Sequence, residues 1–193
     1  MQTFLALTKR NIKLFFKDKG LLFTSLITPI ILLVLYVTFL ANVYKDTFTS
    51  NLPDGLEIKE SIINGTVSGE LISSLLAVCC ITVAFCANTL MASDKVKKVV
   101  NDLSVTPLPK HTLALSYFFA TLVTTLIMTY TATIAGFIYI ACTGWFLSVG
   151  DVFLIILDVF LLTTFGTAFS SIINTFLTSQ GQVSGIGTIV SAG

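Results

Sequence analysis

Long uncharged runs are the feature of this sequence that most limits how the chain can fold. Residues 21–44, 71–93 and 112–150 contain no Asp, Glu, Lys or Arg. A helix needs about 20 apolar residues to cross the hydrocarbon core of a bilayer, and each run is long enough. Charged residues make up only 11% of the chain, against about 25% in a soluble domain, so a water-soluble fold is a poor alternative. The sequence therefore predicts an all-α, polytopic membrane protein.

One further apolar segment carries a single acid, Asp158, and completes the set of expected spans. The chain is expected to form one transmembrane domain over residues 1–193. Its four complete spans are predicted at residues 21–44, 71–93, 112–143 and 152–178. Residues 183–193 are too few to cross a bilayer as a helix. We expect them to be the start of a fifth span in a chain that is cut at this point.

The distribution of Lys and Arg predicts the orientation, because these residues are retained on the cytoplasmic side of a membrane. Residues 1–20 carry five of them, and residues 45–70 carry two against five acids. Residues 94–111 carry four, and residues 144–151 carry none. This alternation predicts a cytoplasmic N-terminus, an external loop at 45–70 and a cytoplasmic loop at 94–111. The expected location is the plasma membrane.

The first 20 residues have an amphipathic pattern rather than that of a span. At about 100° per residue, Phe15 and Phe16 share one apolar arc with Phe4, Leu5 and Ile12, and the basic residues fall opposite. This pattern predicts an interfacial helix along the inner membrane surface. A charged anchor that only sets the topology is the alternative. The residues assigned to the interfacial helix are Lys9, Arg10, Lys13, Phe15, Phe16 and Lys17.

The predicted inner loop, residues 94–111, mixes charged residues with apolar positions. Val96, Val99, Val100 and Leu103 follow helical spacing, and prolines end the segment because they cannot continue a helix. A loop that only reverses the chain needs no apolar face. The pattern therefore predicts a short helix that binds a cytoplasmic partner.

These features together resemble the permease subunits of type-2 ABC exporters. Near the N-terminus the resemblance rests on Lys9-Arg10-Asn11 and on residues 15–19, ahead of a first span that contains Pro29. In the inner loop, residues 94–98, Asp102-Leu103 and Thr106-Pro107 are similar to the coupling segment of that family. The sequence departs from the family pattern at Val100-Asn101, where relatives usually carry Gly-Thr.

The resemblance implies that this chain is a half-transporter. It also implies six spans in the full-length members of the family. A second copy of the chain, or a related permease, would complete the pathway, and a separate cytoplasmic ATPase subunit would bind ATP and magnesium. This chain contains no Gly-x-x-x-x-Gly-Lys-Ser/Thr phosphate loop, so no catalytic residue, cofactor or metal is expected on it. Its net charge of +1 gives no reason to expect nucleic acid. The residues expected to bind the ATPase are Asp94, Lys97, Lys98, Val99, Asp102, Leu103, Thr106 and Pro107.

Two polar residues of the fourth span, Asp158 and Asn174, are candidates for the pathway or for an interface. A charge within a span costs about 2.5–3.5 kcal/mol on insertion scales, so Asp158 is expected to face a cavity, a partner or a wet vestibule. Hydroxyl residues recur every three or four positions in spans 3 and 4, a spacing that favours helix packing or pathway lining.

A secondary transporter or channel is the alternative function. It would have several mid-membrane acids and repeated halves, neither of which is visible here. An intramembrane enzyme would need a cluster of catalytic groups, yet His111 is the single histidine. The substrate cannot be read from the sequence.

Overall fold

The structure, a computed structural model, describes residues 2–50, 60–104, 109–143, 147–177 and 179–192. Every regular element within these ranges is a helix, which confirms the all-α prediction. In chain order they are α1 (Gln2–Lys17), α2 (Lys19–Leu35), a π-helical turn (Tyr36–Leu40), α3 (Ala41–Ser50), α4 (Glu60–Val96), α5 (Val99–Ser104), α6 (Lys110–Thr143), α7 (Val149–Phe176) and α8 (Gln180–Ala192).

Four helical segments of the described chain are long and apolar enough to cross a membrane, as the uncharged runs predicted. They are Lys19–Thr47, Ile62–Val96, His111–Cys142 and Val149–Phe176. The first of them joins α2, the π-helical turn and α3. The expected start of a fifth span falls largely within α8, and Gly193 lies outside the described residues.

The segment 45–70, expected to be an external loop, is partly helical. α3 continues to Ser50 and α4 begins at Glu60, while residues 51–59 lie outside the described part of the chain. Ile63 and Val67 of α4 are buried against four residues of the neighbouring helices, Tyr36, Leu40, Ala41 and Tyr44. This packing stabilises α4 ahead of its uncharged run, which begins at residue 71. Charged residues mark where a chain leaves an apolar environment, not where its helix ends, so α3 and α4 continue as helices beyond the uncharged runs.

α4 is the central helix of the bundle. It contacts α2, α3, α6, α7 and α8, and two adjacent pairs of residues in its middle are fully buried: Cys79, Cys80, Val83 and Ala84 are all 0% exposed. A helix that is apolar on all sides is expected at the centre of a bundle. The other helices are therefore positioned relative to α4.

Buried hydroxyl side chains line the contact between α6 and α7. The Oγ1 atoms of Thr129 and Thr163 approach to 3.2 Å. Thr129, Thr133 and Thr167 also donate to carbonyl oxygens one turn earlier in their own helices, at 2.8–2.9 Å. Small hydroxyl residues of this kind allow membrane helices to approach closely, so the hydroxyl stripes of spans 3 and 4 lie at a helix contact.

Candidate functional site

Asp94 lies where three helices meet, in the last turn of α4. It is 6% exposed. Its Oδ2 atom accepts a hydrogen bond of 2.6 Å from the hydroxyl of Tyr117 in α6, and a guanidinium nitrogen of Arg10 in α1 lies 3.3 Å from the same oxygen. We call Arg10, Asp94 and Tyr117 the Asp94 cluster. It joins α1, α4 and α6 at a single carboxylate.

The chemistry of the Asp94 cluster explains its composition. A carboxylate removed from water is costly unless charged or polar partners replace the lost hydration. Arg10 supplies the charge and Tyr117 supplies a hydrogen bond, while Arg10 also donates to the side chain of Asn11 at 2.8 Å. Because about a third of the Arg10 side chain is exposed, solvent screens the ion pair. The cluster therefore fixes the relative positions of α1, α4 and α6 more than it stabilises the folded protein.

The end of α4 that carries this cluster also receives the end of α7. We call this end of the bundle, where α4 and α7 finish and α6 and α8 begin, the basic end. Lys95, the residue after Asp94, donates from Nζ to the carbonyl oxygen of Asn174 at 2.6 Å and to that of Leu177 at 3.2 Å. The last carbonyls of a helix lack partners within the helix, and a cation there also interacts favourably with the helix dipole. Lys95 was not among the residues expected to bind a partner, because nothing in the sequence shows which of the neighbouring lysines contacts another helix.

A two-residue turn, Lys97 and Lys98, separates α4 from α5. The amide of Lys97 donates to the carbonyl of Ser93 at 2.9 Å, and that of Lys98 to the carbonyl of Lys95 at 3.1 Å. Lys98 has a φ of 59°, in the left-handed region that residues other than glycine rarely adopt. The turn sets the direction in which α5 leaves the bundle.

α5 contains part of the predicted partner-binding segment and packs against α4. Lys97, Lys98 and Asp102 are exposed, whereas Val99 and Leu103 are half-buried. The charged candidates of this segment are therefore accessible, and its apolar ones partly cover α4. Two further candidates, Thr106 and Pro107, lie outside the described residues.

Part of the apolar face of α1 packs against other helices of the bundle. Phe15 is 1% exposed and packs inside the bundle against Val83, Ala87 and Met128, with Phe16 partly buried beside it. The ring of Phe15 therefore contacts α4 and α6, while the placement of α1 along the membrane surface stays a prediction. Burial against α4 and α6 removes the same apolar surface from water while also contacting well-packed partners. Lys9, Lys13 and Lys17 are exposed on the other side of α1.

Asn174 and Asp158 occupy opposite sides of α7. Asn174 is 1% exposed, and its Nδ2 donates to the backbone carbonyl of Asn88 in α4 at 3.2 Å. The Asn88 side chain in turn donates to Ser170 and accepts a bond of 3.4 Å from Thr121. Asn174 thus belongs to a buried polar contact between helices. Asp158 is exposed, on the face turned away from this contact.

Within the described ranges, no three His, Cys, Asp or Glu side chains lie together as the ligands of a metal ion would. A family model described as "ABC-2 type transporter" matches residues 2–192. No significant match was found among curated proteins or among solved structures.

Proposed function

Because the chain belongs to the ABC-2 type transporter family, we propose that it is the membrane-spanning half of an ATP-driven exporter of the plasma membrane. The membrane domain of this family is the permease part of the transporter and not its ATPase. In our proposal a second copy of the chain, or a related permease, completes the substrate pathway. A separate cytoplasmic subunit binds ATP and magnesium and drives transport.

The proposal places the N-terminus and the basic end in the cytoplasm. α1 carries exposed Lys9, Lys13 and Lys17, and the segment after α4 carries exposed Lys97 and Lys98. Retention of Lys and Arg on the inner side supports this orientation. The ATPase subunit then has access to α5.

The observation that carries the proposal is the position of the Asp94 cluster. It lies at the start of the predicted partner-binding segment, residues 94–111, which we call the docking segment. Asp94 is held by Arg10 and Tyr117, and the exposed residues Lys98 and Asp102 follow within eight positions. A force applied to α5 by an ATPase would therefore reach α1 and α6 through one carboxylate. A segment that only reversed the chain would not need this connection.

Asp158 supports the presence of a neighbour beyond this chain. It lies on the outward face of α7 among exposed apolar residues such as Leu154, Leu161 and Phe165. A lone carboxylate facing hydrocarbon is costly, and such residues usually face a cavity, water or a partner. The pathway between two copies would supply that environment.

The test is a cross-linking experiment on the assembled complex. The chain, with an affinity tag and with exposed Cys142 replaced by Ser, is purified from its native host under mild conditions. Asp102→Cys places a thiol on α5, and Gly150→Cys places the control thiol at the far end of α7. We expect a chain with ATPase activity to co-purify and to cross-link from position 102 and not from position 150. Absence of a co-purifying ATPase, or equal cross-linking from both positions, would refute the proposal.

A further inference from the structure

We infer that Lys95 is a positioning residue that passes movement of the docking segment to α7 and α8. This inference rests on the proposed function, since it assumes that an ATPase subunit moves α5. It concerns a different pair of helices from those joined by the Asp94 cluster.

The geometry around Lys95 is that of a connection between helices. Its Nζ lies 2.6 Å from the carbonyl oxygen of Asn174, 3.2 Å from that of Leu177 and 3.5 Å from that of Thr175. A lysine ammonium has three donors, and all three contacts belong to the end of α7. The lysine side chain thus ends on the backbone of another helix, so the α7 backbone follows when Lys95 moves.

The end of α7 leads directly into α8. Leu177 is the C-cap of α7, and α8 begins at Gln180. Ser179 lies between them, and its carbonyl accepts the amide of Val183 at 3.3 Å. Displacement of Asn174–Leu177 therefore displaces the first turn of α8.

Adjacent residues in one turn of α4 contact different sides of the bundle. Asp94 contacts α1 and α6, and Lys95 contacts α7. The turn at Lys97 and Lys98 and the helix α5 follow immediately. One movement of this turn would thus reach both sides of the bundle. Removal of Lys95 should weaken its transmission to the α7 and α8 side, which remains packed on α4, and leave the Asp94 side unchanged.

The experiment uses the complete complex with its ATPase subunit and a reporter on α8. Gly181→Cys, in a Cys142→Ser background, gives an exposed attachment point for an environment-sensitive fluorophore, since nothing lies within 4 Å of a Cβ at this position. Fluorescence is compared with and without a non-hydrolysable ATP analogue and magnesium. The variants are Lys95→Met, Lys95→Arg and the control Lys19→Met, which removes an exposed lysine at the start of α2 that is not among the expected ATPase-binding residues.

We expect the nucleotide-dependent change to be reduced in Lys95→Met and retained in Lys19→Met. Lys95→Arg should restore it, because a guanidinium can also donate to the α7 carbonyls. The ATPase subunit should co-purify equally with all three. A role limited to stabilising α7 would lower the melting temperature of Lys95→Met but leave the nucleotide response intact.

The inference is overturned if Lys95→Met responds to nucleotide as the parent does, or if it loses the ATPase subunit, which would make Lys95 a docking residue. Where Lys95→Met does not fold, Lys95→Ala serves as the variant without a side-chain donor, with the same expected reduction. Hydrogen exchange of the chain without its partner tests the contact itself: amides 174–177 should exchange faster in Lys95→Met and not in Lys19→Met. If no ATPase co-purifies with the parent, the proposed function fails and this inference fails with it. A parent that responds, together with an equally responsive Lys95→Met, refutes the inference alone.

Discussion

The hydroxyl of Tyr117 donates a hydrogen bond of 2.6 Å to the Oδ2 atom of Asp94, and this bond holds the end of α4 against the first turns of α6. Short bonds from a hydroxyl to a carboxylate are among the stronger hydrogen bonds in proteins. The same oxygen receives Arg10 from α1. The docking segment therefore begins from a turn whose position three helices determine.

Replacing Tyr117 by Phe tests this bond directly. Loss of a hydrogen bond to a charged acceptor costs about 1.5–3 kcal/mol, so Tyr117→Phe should lower the free energy of unfolding by an amount of this order. Thermal unfolding in detergent would measure the shift. The matched control is Tyr130→Phe, on the same helix, where the hydroxyl reaches only the Ile156 carbonyl at 3.4 Å in an exposed position. Equal shifts in the two variants would contradict the assigned importance of the Asp94 bond.

The turn after α4 predicts opposite effects for two neighbouring lysines. Lys98 has a φ of 59°, a conformation that costs about 1–2 kcal/mol for an L-residue. Lys98→Gly removes this strain but also gives the unfolded chain more freedom, by about 0.4–1 kcal/mol. We expect a net gain in stability of up to about 1 kcal/mol for Lys98→Gly. Lys97→Gly, with no strain to relieve, should lose about 0.4–1 kcal/mol. Melting temperatures that move in the same direction for both would show that the left-handed residue is not strained.

The sequence predicted the spans well, because a bilayer excludes charge and the uncharged runs therefore report directly on the apolar helices. It could not predict how far the helices continue. Ile63 and Val67, which pack against Tyr36 and Tyr44 of the first predicted span, lie within a stretch whose charges indicated a loop. Helix limits outside the apolar runs depend on packing between segments distant in sequence, and a count of charges does not report that packing.

Arg10 and Asp94 of the candidate site were selected from the sequence, but not as an arrangement, and Tyr117 and Lys95 were not selected. Arg10 was selected for the amphipathic pattern of α1 and Asp94 for the inner loop, and no spacing rule connects positions 84 residues apart. Lys95, Lys97 and Lys98 have equal weight in a charge count. Only the phase of α4 and its packing on α7 distinguish the lysine that reaches the α7 carbonyls from the two that remain exposed. Phe15 shows the same limit, because an apolar face fits a membrane surface and a bundle interior equally well.

The contact between α8 and α4 predicts a strong difference between two nearby glycines. A Cβ at Gly187 would lie 2.9 Å from the Cβ of Phe85, an atom that cannot move without its helix. Gly187→Ala should therefore cost about 1–3 kcal/mol, the usual range for overpacking. Gly185→Ala should be neutral or stabilising by up to about 1 kcal/mol, since nothing lies within 4 Å of its Cβ position. Thermal unfolding compares the two, and equal tolerance of both substitutions would show that α8 does not pack closely on α4 at Phe85.

Asp158 predicts where water enters the membrane-spanning part of the assembled protein. Its carboxylate lies on the outward face of α7. Phe165 lies on the same face, seven residues or about 10 Å further along the helix. A carboxylate within a membrane-spanning helix requires water or a polar partner, whereas the side chain of Phe165 requires neither. In a Cys142→Ser background, Asp158→Cys should therefore react with a charged, membrane-impermeant thiol reagent added from outside, and Phe165→Cys should react far more slowly. Mass spectrometry of the modified chain measures both rates.

If Asp158→Cys is as inert as Phe165→Cys, this face of α7 lies against lipid, and the substrate pathway must be sought elsewhere. If Asp158→Cys reacts only with reagent added from the inside, the proposed orientation is inverted, and α5 would then lie on the wrong side of the membrane for a cytoplasmic ATPase.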